Sequence, residues 1–318
     1  MDQYRLGVPV KVVGAPGLRS HDSRRWQNHP HLSVSLAYLR DIFEYLNEQN
    51  IRFYRMSGQL APYLTHPHMP QFHDQLTECS TELASIGDLA RLYRLRLSLH
   101  PAHYIQLGSP DPERVARSQQ ELAAGADLFD AMGFHDGATM VIHVGGVYED
   151  QQATLGRFVQ NFVAMRPEVR ARVVLENDDR HYGINDSLWV HQQTGIRLVL
   201  DVLHHHCVNP RGIPLLEAHK LALDTWPDAQ QPKIHLSSSR TEIRQLVRQG
   251  KVHLQMPLPQ QHSDFINPFE FIDLIRNARA ANLRPFDIML EAKGKDLALL
   301  RLREQVKHFA PDLEQLIA

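Results

Sequence analysis

Cysteine is nearly absent from this chain: of 318 residues, only Cys79 and Cys207 carry a thiol. Two thiols so far apart in sequence build neither a disulfide framework nor a thiolate metal site, and they point to a reducing, intracellular compartment. Long apolar runs are also missing. No stretch reaches the roughly 20 residues of a membrane helix, and the opening MDQYRLGVPV has no apolar region of secretory-leader length. The expectation is a cytoplasmic protein (nucleoid-associated if bacterial) that is monomeric and has no membrane partner. Charge of one sign is scarce as well. The chain has 34 Lys and Arg against 36 Asp and Glu, a formal net charge of −2. Any nucleic-acid contact must therefore come from local patches and not from a global field. No Pro-, Gly- or Ser-rich linker interrupts the chain, so residues 1–318 are expected to form one domain.

Histidine is what the chain has in abundance, with 20 residues. Short Val/Ile/Leu runs recur along the sequence, as expected of strands buried on both faces. The spacing predicts strands at Leu6–Val10, Ile51–Met56, Leu95–Leu99, Thr139–Val144, Val173–Glu176, Arg197–Val202, Lys233–Ser237 and Asp287–Glu291. Amphipathic segments separate them. Leu36, Leu39, Phe43 and Leu46 mark one helical face, and further helices are predicted at Glu113–Met132, Leu155–Met165, Leu215–Leu223, Phe269–Ala281 and Leu297–Phe309. Eight strand–helix units fit an α/β fold of the single (β/α)8 TIM-barrel type, in which chemistry sits at the strands' C-terminal ends. The long irregular stretches Gly14–Pro30, Ser57–Pro70 and Ser239–Pro268 are expected to be binding loops or lids on that face.

Polar residues stand at the tips of these runs: Arg5, Arg55, His100, His143, Glu176, Asp201, His235 and Glu291. An ionisable group buried at a strand end costs free energy unless it is paired or binds a metal. One such residue is an accident of packing, whereas a whole series of them suggests a built metal site. His100, His143, Glu176, Asp201, His204, His235, His262 and Glu291 form an imidazole and carboxylate set suited to Mn²⁺, Zn²⁺ or Fe²⁺. A site of two or three such ions can activate water and neutralise charge in phosphoryl displacement. His191, His219 and His308 fall on helical patterns and read as structural. His205 and His206 are ambiguous, because one turn cannot aim three imidazoles at the same point.

Eight segments carry a resemblance to a known family. RLGVP at Arg5–Pro9, FYRMS at Phe53–Ser57, LSLHP at Leu97–Pro101 and IHVGG at Ile142–Gly146 are joined by LEND at Leu175–Asp178. The DxLHH segment at Asp201–His205, KIHLSS at Lys233–Ser238 and MLEAKGK at Met289–Lys295 complete the series. Taken in order, they resemble UV damage endonucleases, relatives of endonuclease IV among metal-dependent (β/α)8 barrels. The resemblance implies incision of duplex DNA 5′ of a lesion, either a UV photoproduct or an abasic site. It implies a cluster of two or three ions, with Mn²⁺ the first choice. Catalytic roles fall to Glu176, Glu291 and Lys233, and ligand roles extend from the eight donors above to His66 and Lys233, with His68 the competitor of His66. It also implies that Lys233 can be carboxylated, against the plainer reading of an ammonium paired with Asp201 or a phosphate. DNA contacts are implied for His103, Tyr104, Arg55 and Ser238.

The chain departs from the family in its first strand, where a Tyr and an Asn of the pattern RLGYPxxN are replaced by Val8 and Val12. The lesion-probing pair is His103 and Tyr104 where the family usually has Gln and Tyr. These four positions are expected in the DNA groove. Basic residues at Arg19, Arg24 and Arg25 with Trp26, and at Arg240, Arg244, Arg248 and Lys251, give local support for nucleic acid. Two other readings remain: a sugar isomerase or epimerase on the same barrel, and a damaged-DNA binder that no longer cuts.

Overall fold

The computed structural model describes residues 4–101, 105–135 and 137–317. Eight parallel strands form the sheet: β1 (Leu6–Pro9), β2 (Phe53–Met56), β3 (Arg96–Leu99), β4 (Thr139–Ile142), β5 (Val173–Glu176), β6 (Arg197–Val199), β7 (Lys233–Leu236) and, after two further strands, β10 (Asp287–Leu290). Their spatial order is β6-β5-β4-β3-β2-β1-β10-β7. The two ends meet through a parallel bridge between Asp201 and His235, with the His235 amide donating to the Leu200 carbonyl at 2.9 Å. The result is a nearly closed (β/α)8 barrel, as the alternation of runs and helices predicts. Between strands run the helices Leu32–Glu48, Ser80–Leu92, Pro112–Ala131, Gln151–Val163, Ile184–Thr194, Leu215–Leu223, Pro268–Ala280 and Lys295–Phe309.

Period-two alternation gives the barrel its vertical organisation. Val141, Val174, Val199 and Trp226 form a small buried cluster of their own. The three valines each lie two residues before a polar tip: His143, Glu176 and Asp201. An apolar layer thus closes the barrel beneath its polar mouth. Most other apolar residues pack between the strands and the outer helices in one continuous core.

The observed strands are shorter at their ends than the sequence runs suggest. Asp201 lies beyond β6 and caps the helix Val202–Cys207, accepting from the His204 amide at 2.8 Å. The helix Ser80–Leu92 escapes the periodicity reading because part of its buried face is Gly87 and Ala90. A Cβ on Gly87 would come within 1.8 Å of the Met132 carbonyl oxygen. Close helix approach there replaced the large apolar residues that make a pattern visible. Ser239–Pro268 also proves not to be wholly irregular. It contains an antiparallel hairpin of β8 (Arg244–Arg248) and β9 (Lys251–Gln255), whose residues are almost all exposed. Among the described residues, no helix is long and apolar enough to cross a membrane.

Candidate metal centre

The polar tips converge at the barrel mouth. Three sets of donors each lie within 4.8 Å of one another: His100, His143 and Glu176; Glu176, Asp201 and His204; and Asp201, His235 and Glu291. Glu176 belongs to the first two and Asp201 to the last two, so the two carboxylates link three neighbouring positions. His100 Nε2 and His143 Nε2 each stand 3.5 Å from Glu176 Oε2. On its other side, Glu176 Oε1 lies 3.0 Å from His235 Nδ1 and 3.5 Å from His204 Nδ1. His235 Nδ1 also lies 3.2 Å from Glu291 Oε1, and His262 Nδ1 lies 3.8 Å from Glu291 Oε2. The imidazoles follow one another around the mouth, with centroids 5.4 Å apart for His100 and His143, 5.8 Å for His143 and His204, and 6.3 Å for His204 and His262.

Local structure fixes these side chains. Asn177, directly after Glu176, accepts from the Asp201 amide at 2.9 Å and donates to the Asp201 carbonyl at 3.1 Å. Its own carbonyl lies 3.0 Å from His204 Nδ1. One buried residue thus holds Asp201 through its side-chain amide and His204 through its backbone carbonyl. Sequence reasoning missed this role, although Asn177 stands inside the LEND motif.

The electrostatics of the mouth are unbalanced. Burial pushes Asp201 up to about 6, against the pull of His204. Burial also opposes ionisation of Glu176, but His235 and His143 outweigh it and hold that carboxyl well below its ordinary range. Glu291 is lowered in the same way against its burial, chiefly by Arg55. Burial would lower His204, yet Asp201 and Glu176 raise it to about 9. His143 and His262 are lowered by burial and so favour the neutral form in which imidazole binds a metal. Glu176 Oε2, Asp201 Oδ2, His143 Nδ1 and His235 Nε2 are buried atoms without a hydrogen bond among the described residues. Leaving such groups unmet is expensive. The donor chemistry and these unused atoms fit a bound metal ion.

Lys233 opens β7, level with Asp287 across the ladder, and so is not at a strand tip. Its ammonium nitrogen is buried inside the barrel, 5.7 Å from the Phe53 ring, with no hydrogen bond. Burial, with Arg96 and Arg55 nearby, pushes its pKa well down. The plain reading of an ammonium held by Asp201 therefore finds no support.

Other predicted residues separate. Arg55 pairs with Glu291 and is turned into the cluster instead of standing free in a groove. Ser238 is buried and committed internally, donating to Glu270 Oε2 at 2.6 Å and accepting from the Asn267 amide at 3.0 Å. It therefore has a structural partner at the start of the helix Pro268–Ala280. His66 is not brought into any of the three donor sets. With His68, Tyr63 and Arg114 it lines a neighbouring cavity of about 790 Å³ that also touches Leu99 and Pro101. Val8, on β1, and Val12, in the loop after it, are both buried in the core and not exposed in a groove. His103 and Tyr104 lie outside the described residues. His205 turns away, its Nε2 lying 3.0 Å from the Ile213 carbonyl, and His206 is exposed. The histidines on helices have the expected structural contacts, as with His191 Nδ1, 2.7 Å from the Ile196 carbonyl. In the first long loop, Arg24 pairs with Asp22 at 2.6 Å, while Trp26 is exposed.

Residues 22–315 match the family described as UV-endonuclease UvdE. The chain is 34% identical over 280 residues to the UV DNA damage endonuclease of Bacillus velezensis, covering 86% of this chain and 82% of that one. The crystal structure of SacUVDE superposes with a TM-score of 0.81 at 29% identity, covering 96% of this chain and 98% of that one. A second solved structure, the 3-keto-D-glucoside 4-epimerase YcjR from E. coli, has a TM-score of 0.59 at 11% identity, with 96% and 98% covered. That likeness is one of fold alone.

Proposed function

The chain belongs to the UV-endonuclease UvdE family and is a DNA endonuclease, a hydrolase of DNA repair; we propose that it is metal-dependent and, as a monomer, incises duplex DNA immediately 5′ of UV photoproducts, with abasic sites as a second substrate. The observation that carries the metal reading is the sharing of Glu176 and Asp201 among three donor sets. His100, His143, Glu176, Asp201, His204, His235, His262 and Glu291 would hold two or three ions, with Mn²⁺ the leading candidate. Such ions supply an activated water and neutralise charge on the phosphoryl and leaving oxygens.

The rest of the chemistry belongs to the chain. Asn177 holds Asp201 and His204 in register, so that their donor atoms do not drift between states. Arg55 offsets the charge of Glu291 from the side away from His262 and keeps that carboxylate ionised. Burial disfavours the ammonium form of Lys233, and the alternatives are a neutral amine or the carbamate formed when that amine adds carbon dioxide and releases a proton. Either form removes a cation that would repel bound metal. Val141, Val174, Val199 and Trp226 pack as a buried apolar cluster beneath the mouth.

The test is nicking of UV-irradiated and abasic supercoiled plasmid with Mn²⁺, comparing the wild type with Glu176→Ala. The wild type is expected to nick damaged plasmid and the variant to lose nicking by at least about 10³-fold. Equal nicking by both proteins overturns the mechanism. End-labelled duplexes with one lesion report whether the cut lies on its 5′ side.

A further inference from the structure

The hairpin β8–β9 is built unlike the rest of the molecule. Its register pairs Arg244 with Gln255, Leu246 with His253 and Arg248 with Lys251 on one face, and Gln245 with Leu254 and Val247 with Val252 on the other. One face therefore carries all three cations of the ribbon. The other is apolar apart from Gln245 and is uncovered among the described residues: Val247 and Leu254 are each 71% exposed and Val252 is 56% exposed. A two-stranded ribbon is marginal on its own, and an exposed apolar face adds to that cost. The turn is tight, with Gln249 at φ 50° and Gly250 at φ 72°, the two left-handed residues of a type I′ hairpin. This turn sets Arg248 directly opposite Lys251. Like charges across a ladder repel, so the tip is at odds with itself unless an anion lies between the two cations. From Ile243 to Ser263 there is no acidic residue to supply one.

The position of the ribbon matters as much as its composition. Its base is tied into the metal centre by the bridge between Ser239 and His262, by the Arg240 amide donating to the Gln261 carbonyl at 2.7 Å, and by the Ser263 amide donating to the Ser238 carbonyl at 2.9 Å. His262 itself faces Glu291. The ribbon therefore rises from the same rim of the barrel that carries His262.

We propose that the β8–β9 hairpin is a DNA clamp, with Arg244, Arg248 and Lys251 gripping backbone phosphates next to the cut and Val247, Val252 and Leu254 lying against sugars and base edges in the groove. A two-stranded ribbon matches the roughly 12 Å width of a major groove. Unlike single basic side chains on a loop, the ribbon offers phosphate contacts and an apolar surface in fixed relation. The inference rests on duplex DNA being the substrate.

The test compares the wild type with Arg244→Gln/Arg248→Gln/Lys251→Gln on a single-lesion duplex, measuring Kd and incision between 50 and 300 mM salt. Loss of three phosphate contacts is expected to flatten the plot of log Kd against log salt by about 2.7 units and to weaken binding by about tenfold or more at the lower salt. The loss should appear in KM more than in the rate at saturating DNA. An unchanged salt slope with unchanged Kd overturns the clamp. Failure of the wild type to incise at all strikes instead at the endonuclease reading, so the two failures are distinct. A second variant, Val247→Ser/Val252→Ser/Leu254→Ser, should weaken DNA binding with the salt slope intact. If it leaves DNA binding alone and converts a dimer into a monomer in sedimentation, the apolar face is an interface between copies and the clamp is refuted. Unfolding temperatures within about 2 °C of the wild type confirm that each variant folds, as expected of exposed positions.

Discussion

Strand β10 begins at Asp287, and Glu291 stands just past its end, so two carboxylates are held at opposite ends of one barrel. The two ends treat their buried carboxylates differently. Asp287 is fully buried and fully served: it accepts from the Arg5 amide at 3.2 Å, from Gln231 at 2.8 Å and from Arg96 at 2.6 Å. Arg96 is held in turn, 5.3 Å over the Phe53 ring and 5.8 Å over the Trp226 ring. At the mouth, Glu176 and Asp201 are just as buried, yet each keeps one oxygen without a hydrogen bond. A buried carboxylate that the protein satisfies from its own cations braces the fold. One left partly unmet, among imidazoles, holds a place for something else. Burial alone does not separate the two ends; what separates them is whether the donors close.

The largest expected effect tests the open end. Glu176→Gln keeps the shape but removes the charge that faces His100, His143, His204 and His235. Nicking of damaged plasmid should fall by about 10³-fold or more, and the metal found by elemental analysis should drop below the wild-type ratio. Because Glu176 faces imidazoles and not a fixed guanidinium, the unfolding temperature of metal-free protein should fall less than it does for Asp287→Asn. A large drop in that temperature would show that Glu176 belongs with Asp287, and the contrast would fail.

Metal removal should reproduce the loss without a mutation. Dialysis against a chelator is expected to abolish nicking, and Mn²⁺ is expected to restore it. The wild type should carry more than one transition-metal ion per chain. Rebinding should raise the unfolding temperature, since an ion that binds only the folded state stabilises it by mass action. Metal-free protein that nicks at the full rate would refute the metal reading of the mouth.

The closed end should respond the other way. Asp287→Asn strands the buried Arg96 guanidinium without its counter-charge, and breaking such a pair typically costs about 3–5 kcal/mol. A clear fall in denaturation midpoint is expected, with the metal-to-protein ratio of the folded fraction held at the wild-type value. Loss of metal with an unchanged midpoint would place Asp287 in the site.

This contrast also explains what could be read in the chain beforehand. The barrel was legible because period-two alternation and short apolar runs are local properties, and Val174 before Glu176 or Val199 before Asp201 already sets the layers. Donors at strand ends were legible for the same reason: His100, Glu176 and Glu291 each follow such a run. What escaped depends on partners distant in sequence. Arg55 looked like a free groove cation until Glu291, 236 residues away, was seen to hold it. Ser238 looked available for DNA until Glu270 was seen to take its hydroxyl. The run Lys233–Ser237 already sets Lys233 at the start of its strand, but its burial beside Arg96, Arg55 and the Phe53 ring comes only from the fold. The hairpin was invisible because both of its faces are exposed, so it has no inward pattern to betray it.

His219 offers the finest test, because it is buried, titratable and part of neither end. It lies on the helix Leu215–Leu223 with its ring 4.4 Å from that of Phe286, edge to face, and its Nε2 has no hydrogen bond. Burial pushes its pKa down to about 4. The folded state thus holds it neutral, while the unfolded chain protonates near 6.5. Stability should be complete above pH 6.5 and decline as the pH falls toward 4, because protons then favour the unfolded chain. A depression of this size corresponds to about 3 kcal/mol once the pH has dropped through both values. His219→Leu should therefore flatten the stability of metal-free protein between pH 6.5 and 4 relative to the wild type. Equal slopes for the two proteins would mean that acid sensitivity comes from the mouth, where protonation of Glu176 removes a charge that its imidazoles hold in place, and not from a lone buried imidazole.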